Sequence, residues 1–228
     1  MWLNLIGLMA SGFLLGIQHS FDPDHVAAVS TLVSENRSLK RSALAGAVWG
    51  LGHTTILLLA GVALMLLKVA IPATFAQALE FMVGLMLLYL GGSLLKRVVV
   101  DKIHIHKHAH GELEHVHLHS HKTIAEHQHL HKPFLIGVVH GLAGSAGIML
   151  LIMATMSSVV QGFFFTLIFG VGSILGMMVS GTIISLPFRA TARFKRINAS
   201  FMIVAAVITI TIGLNVIREN WTWLLWTD

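Results

Sequence analysis

Apolar residues run along this chain in long unbroken stretches that show no strict alternation. Six stretches are read as membrane helices, at 3–33, 43–67, 75–98, 134–158, 160–187 and 199–218, because about 20 apolar residues cross a bilayer. Continuous runs predict helices, whereas barrel strands would alternate. The first stretch is longer than a bilayer requires, and the polar string HSFDPDH at 19–25 interrupts it. One polar segment, 99–132, separates the third stretch from the fourth. The expected organisation is therefore a three-helix unit at 1–98, a connecting loop at 99–132 and a second three-helix unit at 133–228.

Composition agrees with this pattern. The chain of 228 residues is 55% hydrophobic and 11% charged, with a mean hydropathy of +0.80, against about a quarter charged in a soluble domain. No basic segment precedes the first apolar run, so it is not read as a cleavable signal peptide. Zero cysteines exclude dithiol chemistry and thiolate metal sites.

Charge fixes an expected orientation. Thirteen of the 15 Lys and Arg follow the first, third and fifth stretches; Lys68 and Arg218 are the exceptions. By the excess of basic residues in cytoplasmic loops, both termini should lie outside and the long loop in the cytoplasm of a multi-pass cytoplasmic-membrane protein. The net charge of +5 is then a consequence of topology and implies no nucleic-acid partner.

The two halves echo each other. LLGIQHSFDPDHVAAV at 14–29 aligns without gaps on LIGVVHGLAGSAGIML at 135–150, matching His19 to His140. WGLGHTTIL at 49–57 aligns on FGVGSILGM at 169–177, matching Gly50 and Gly52 to Gly170 and Gly172. Offsets of 121 and 120 from these ranges point to a duplication. Three spans per half is an odd number, so the halves should be inverted, an arrangement of secondary transporters whose sites lie at discontinuous helices near the midplane. Ser42, Gly46 and Gly50 recur every four residues, as do Gly172, Gly176 and Ser180. Small residues at that interval are read as close-packing faces.

The chemistry concentrates in HSFDPDH. On an intact helix His19, Asp22 and His25 share a face, while Asp24 points elsewhere. Pro23 has no N–H, so the helix should break there. An irregular segment at membrane depth is tolerated only in protein or against a cavity. Unwinding would turn Asp24 toward the others. Imidazoles with carboxylates suit Ni(II), Co(II), Zn(II) or Cu(II). His53, in GLGHTT, is a further candidate ligand, and His140 is a weaker one because no carboxylate stands beside it in the sequence. Intramembrane carboxylates usually mark an ion or proton path.

QHSFDPDHV resembles the signature of the nickel/cobalt transporter (NiCoT) family, and WGLGHTTIL resembles that family's second motif. HGLAGSAGIMLL at 140–151 and FGVGSILGM place the likeness nearer the UreH-type branch, the urease-accessory permeases. The resemblance implies nickel transport, with cobalt second, a transport site of His19, Asp22, Asp24, His25 and His53, and delivery to cytoplasmic nickel or urease-accessory proteins. Uptake as the direction follows from this resemblance alone. Two features depart from the family: its usual first helix is missing, and an acidic segment of its second half is replaced by Gly141 to Gly147.

The polar loop holds 11 of the 15 histidines: His104, His106, His108, His110, His115, His117, His119, His121, His127, His129 and His131. Such tracts read as metal binding, and with few bulky apolar residues no packed core is expected. The expected protein is thus an all-α, six-helix inverted-repeat permease for a divalent transition metal. It is not an enzyme, and it has no prosthetic group. No P-loop is present, so ATP is not hydrolysed by this chain. Efflux of nickel, cobalt or zinc, and a membrane subunit of a multi-protein uptake complex, are the alternatives. A His-box oxygenase would need more histidines outside the loop than His19, His25, His53 and His140.

Overall fold

The computed structural model describes residues 2–36, 38–69, 71–99, 107–110, 113–116, 131–143, 156 and 158–221. Within them lie helices α1 (Trp2–His19), α2 (Pro23–Val33), α3 (Leu39–Leu67), α4 (Ala73–Val99), α5 (His131–Ala143), α6 (Val159–Ala190) and α7 (Lys195–Asn220). Two short strands, β1 (Lys107–His110) and β2 (Leu113–Val116), complete the list. Four helices, α3, α4, α6 and α7, are each long and apolar enough to cross a bilayer. Their outward faces are apolar: Leu59, Leu67, Tyr89 and Val160 are all more than 60% exposed. Water would not tolerate such a surface, and hydrocarbon requires it. The chain is a multi-pass, helical membrane protein.

The first apolar stretch is two helices. Ser20 to Asp22 leave the helical path, with the Phe21 and Asp22 amides turning back onto the carbonyls of Gln18 and His19 at 3.0 and 3.1 Å. Pro23 then opens α2 at a position where no helical N–H is needed. The His19 carbonyl, which Pro23 would orphan in a continuous helix, thereby finds the Asp22 amide. The stretch read at 134–158 is described only from α5, His131–Ala143; 144–155 and 157 lie outside the described residues.

The expectation of a loop without packed structure meets an antiparallel pair of four-residue strands, with Lys107 opposite Val116 and His110 opposite Leu113. Strands β1 and β2 carry His108, His110 and His115, and α5 begins at His131. The remaining loop histidines lie outside the described residues.

Glycine sets the spacing of the bundle. A Cβ on Gly16 of α1 would overlap the Phe169 carbonyl of α6, and one on Gly172 of α6 would overlap the Phe13 carbonyl of α1. In the same way Gly52 of α3 abuts the Phe134 carbonyl of α5, and Gly137 of α5 abuts the Trp49 carbonyl of α3. Gly46 and Gly50 face Met177 and Ile174 of α6, and Ser42 and Ser180 are buried. The small-residue stripes are therefore packing faces. Hydroxyls reinforce them: Ser173 Oγ donates to the Gly16 carbonyl at 3.2 Å and Thr54 Oγ1 to the Gly170 carbonyl at 3.3 Å. Ala27, Ala28, Val29, Val33, Trp49, Val83, Leu87, Leu90 and Met177 form a core around α2.

Gly137→Ala should lower the melting temperature of the detergent-solubilised protein, since overpacking costs about 1–3 kcal/mol. Gly92→Ala is the control, because its Cβ would meet nothing within 4 Å. Equal melting temperatures for the two variants would refute this account of α3–α5 contact.

Candidate metal centre

Four imidazoles converge where α1 ends, α2 begins, and α3 and α5 cross. His19 closes α1, His25 lies in the first turn of α2, His53 is on α3 and His140 on α5. Their exposures are 8% for His19 and 0% for the other three. Ring centroids are 4.3 Å apart for His19–His25, 5.3 Å for His19–His53 and 5.2 Å for His25–His53. His140 lies 4.1 Å from His25 and 6.1 Å from His53.

Local sequence explains the convergence. The break at Ser20–Asp22 ends α1 with His19 facing inward and restarts the helix with His25 in its first turn. Gly137 and Gly141 flank His140, and each presses on the backbone of His53. Side chains there would hold α5 away from α3 and separate the rings.

Two carboxylates orient the rings. His19 Nδ1 lies 2.8 Å from Asp22 Oδ2, and His25 Nδ1 lies 3.0 Å from Asp24 Oδ1. Asp24 Oδ2 reaches across to His140 Nε2 at 2.9 Å, and Asp24 Oδ1 accepts the His25 amide at 2.9 Å. An ionised carboxylate only accepts, so in neutral imidazoles the proton sits on these ring nitrogens and the opposite nitrogen keeps its lone pair. Those opposite atoms, His19 Nε2, His25 Nε2 and His140 Nδ1, are buried with no partner, as are both nitrogens of His53. Unpartnered buried lone pairs are costly. A ring with one nitrogen on a carboxylate and the other free is how histidine is held for a metal.

Two triads meet the geometric requirement for an ion. His19, His25 and His53 form one and Asp24, His25 and His140 the other, with ligand atoms inside each within 4.8 Å of one another. The set offers nitrogen and one carboxylate, no sulfur.

The sequence-derived candidates thus assemble unequally. His19, His25, His53 and Asp24 come together. Asp22 is 48% exposed and touches the cluster through His19. His140, expected to lack a carboxylate neighbour, has Asp24: the break turns that side chain off α2 and toward α5. The loop histidines form no part of this cluster among the described residues.

Sequence reasoning missed three contributors. Trp49 is fully buried, with rings 5.4 Å from His25 and 5.6 Å from His140 and an unpartnered indole N–H. Glu80, on α4, is close enough to act electrostatically on Asp24 and His19. It was legible as a carboxylate eight residues into an apolar helix. A cavity of about 450 Å³ bordered by Pro23, Asp24, Thr211, Ile212, Asn215 and Val216 needed the tertiary structure to be seen.

Comparison with known proteins adds kinship. The family described as the cytochrome C biogenesis protein transmembrane region matches residues 26–214. The urease accessory protein UreH of Bacillus sp. (strain TB-90) is 39% identical over 230 residues, covering 93% of this chain and 91% of that protein. The chloroplast protein FOR GROWTH AND FERTILITY 1 of Arabidopsis thaliana is 30% identical over 91% of this chain and 58% of its own length. Its companion, FOR GROWTH AND FERTILITY 2, is 28% identical over 73% of this chain and 44% of its own. No solved structure matches.

With Trp2, Trp221, Trp223 and Trp226 replaced by Phe, the emission of Trp49 should be quenched by Ni(II) or Cu(II) bound at the adjacent imidazoles. Adding His25→Ala should remove the high-affinity phase. Quenching that survives this change unaltered would place the metal elsewhere.

Proposed function

Because the chain belongs to the cytochrome C biogenesis transmembrane-region family and, within it, to the UreH-type branch, we propose that it is a permease for a divalent transition metal. Nickel is the foremost cargo and cobalt the second, and the direction is uptake across the cytoplasmic membrane. The carrying observation is the cluster of four buried imidazoles around Asp24, inside an apolar bundle, with ring nitrogens left unpartnered. A dehydrated late transition-metal ion is the ligand that such nitrogens and one carboxylate fit. The relative UreH carries the name of a urease accessory protein, which favours nickel and, as partners, proteins of nickel delivery.

The family description speaks of cytochrome c biogenesis, but with no cysteine this chain has no thiol with which to exchange disulfides. A membrane oxygenase has less support: among the described residues the two triads share His25, so they do not make two separate three-ligand sets.

The fold is read as two inverted three-helix repeats, and the glycine contacts support that reading. Gly16 meets Phe169 and Ser173, while its equivalent Gly137 meets Trp49 and His53, the equivalents of those two. Gly84 meets Gly213 and Ile217, and Gly213 meets Gly84 and Leu88 in return. Reciprocity of this kind is what an approximate two-fold axis in the membrane plane produces. The metal centre departs from that symmetry, because Asp24 has no carboxylate counterpart.

Cells expressing the chain should accumulate radiolabelled nickel, and the purified chain alone should carry it into liposomes. His25→Ala and Asp24→Asn should each reduce high-affinity uptake at least about tenfold, judged against losses of 10–100-fold for groups that only support a ligand. Depletion of cellular nickel would establish efflux. Inactivity of the lone chain in liposomes would make it a subunit of a larger complex.

The orientation and the loop have their own test. An impermeant thiol reagent should label a single cysteine at position 228 in intact cells and spare one at 111. Replacing the 11 loop histidines should weaken metal retention and leave liposome transport measurable. Labelling at 111 would reverse the topology, and loss of transport in a folded protein would move the translocation site into the loop.

A further inference from the structure

Resting on that transport reading, we infer that the metal centre is two successive positions, an entry triad of Asp24, His25 and His140 and a sealed triad of His19, His25 and His53, between which His25 hands over a single ion.

The two triads differ in access. Asp24 is 22% exposed and borders the α2–α7 cavity of about 450 Å³. In the sealed triad His25 and His53 have no exposed surface and His19 has 8%. Thr211 to Val216 on the cavity wall lie 16 to 21 residues beyond the start of α7 at Lys195, which at 1.5 Å per residue is about 24–31 Å. With Lys195 on the cytoplasmic side, the cavity sits in the outer part of the membrane. Asn215, bonded to Glu219 and Arg218, and Thr211, whose hydroxyl donates to the Val207 carbonyl, line its wall. An ion arriving from outside meets Asp24 first.

The ligands differ too. The entry triad contains the carboxylate, whose charge offsets the loss of hydration when a divalent ion leaves water. The sealed triad offers imidazoles alone, which bind late transition metals and hold Mg(II) and Ca(II) poorly. The order therefore runs from a charged, partly exposed position to a neutral, buried one, the second testing the ion's preference for nitrogen.

His25 couples them. Its Nδ1 points at Asp24 and its Nε2 is the buried unpartnered atom. A neutral imidazole has one lone-pair nitrogen at a time, so His25 completes the entry triad as its Nε2–H tautomer and the sealed triad as its Nδ1–H tautomer. Its single ring proton moves from Nε2 to Nδ1 as the ion passes. His140, to bind beside Asp24 through Nε2, likewise carries its proton on Nδ1. Two ions cannot both have full ligand sets, and filling the sealed position returns His25 Nδ1–H to Asp24. The entry position is then without one of its three ligands until the first ion has left.

The test uses the full-length chain with its loop histidines replaced by serine, and Co(II) as the probe, because its visible absorption reports ligand type and count. One Co(II) per chain is expected. His53→Ala should still bind one Co(II), through a set containing a carboxylate, while uptake in cells falls at least about tenfold. His140→Ala should still bind one Co(II), through an all-imidazole set. Its uptake should weaken chiefly at low external metal, as a raised KM, because entry is impaired and the sealed position is intact. His25→Ala should lose both binding modes. Two Co(II) bound per chain, or His53→Ala and His140→Ala each abolishing binding as His25→Ala does, would overturn the two-position arrangement. Uptake by the unaltered chain alongside either result would leave the transport reading standing. The expected binding pattern without any metal uptake would sink that reading and keep the two positions as a binding device.

Discussion

The interaction on which the site depends is the pair of amide-to-carbonyl bonds that close the break at Ser20–Asp22. Hydrocarbon supplies no water to an unpaired backbone group, so a helix can be interrupted at membrane depth only if its freed groups find partners in the protein. Here Phe21 and Asp22 supply them within a single turn. Because the detour is so short, α2 continues inward with Pro23 at its first position, and His19 and His25 face each other across it at 4.3 Å. A smooth helix would keep Asp24 on another face, away from both.

That local arrangement needs a bundle that can bring two more imidazoles against it. Membrane helices gain little from hiding apolar side chains, since lipid is as apolar as they are, and close backbone contact must substitute. The stretch of α5 around His140 illustrates the consequence. Gly137 and Gly141 let its backbone rest on Trp49 and His53, and the same contact that joins the helices sets the ring spacing. Packing and ligand geometry are one interaction at this point, so a side chain that disturbs the first also moves the second.

Much of this was legible in the sequence, and the reasons are local. Long apolar runs gave the helices α3, α4, α6 and α7 to within a few residues at most ends, since hydrophobicity in a membrane protein has no competing explanation. Pro23 gave the break, because the missing N–H acts on its own helix. His19, Asp24, His25 and His53 were marked by being polar where polarity is costly. What the sequence concealed was long-range. His140 acquires its carboxylate from Asp24, 116 positions away, and no spacing rule connects them. Asp22, indistinguishable from Asp24 in the motif, stays half exposed and serves His19 from outside. The reason is geometric: the N-cap position points out of the bundle, whereas the first turn of α2 points in. Glu80 stood in plain view as a lone carboxylate but had no motif around it.

The candidate ligand set also bears on which ions the proposed site could discriminate. Four imidazoles and one carboxylate give too few oxygens for Ca(II) or Mg(II), which need six or more hard ligands. They offer no sulfur to Cu(I). Among the remaining late divalent ions, affinity for nitrogen sites rises from cobalt to nickel to copper and falls again at zinc, whatever the detailed geometry. Buried imidazoles therefore separate classes of ion well and neighbours within a class weakly. On the proposed transport reading, selection of nickel from its neighbours must then draw on something other than the raw affinity of the ring nitrogens. The shape imposed by helices that cannot spread apart is one such source, because glycine-to-carbonyl contacts on both α1 and α5 leave the rings little room to rearrange. A rigid site favours the ion whose preferred geometry it already has, and rigidity here is a property of the packing rather than of the ligands.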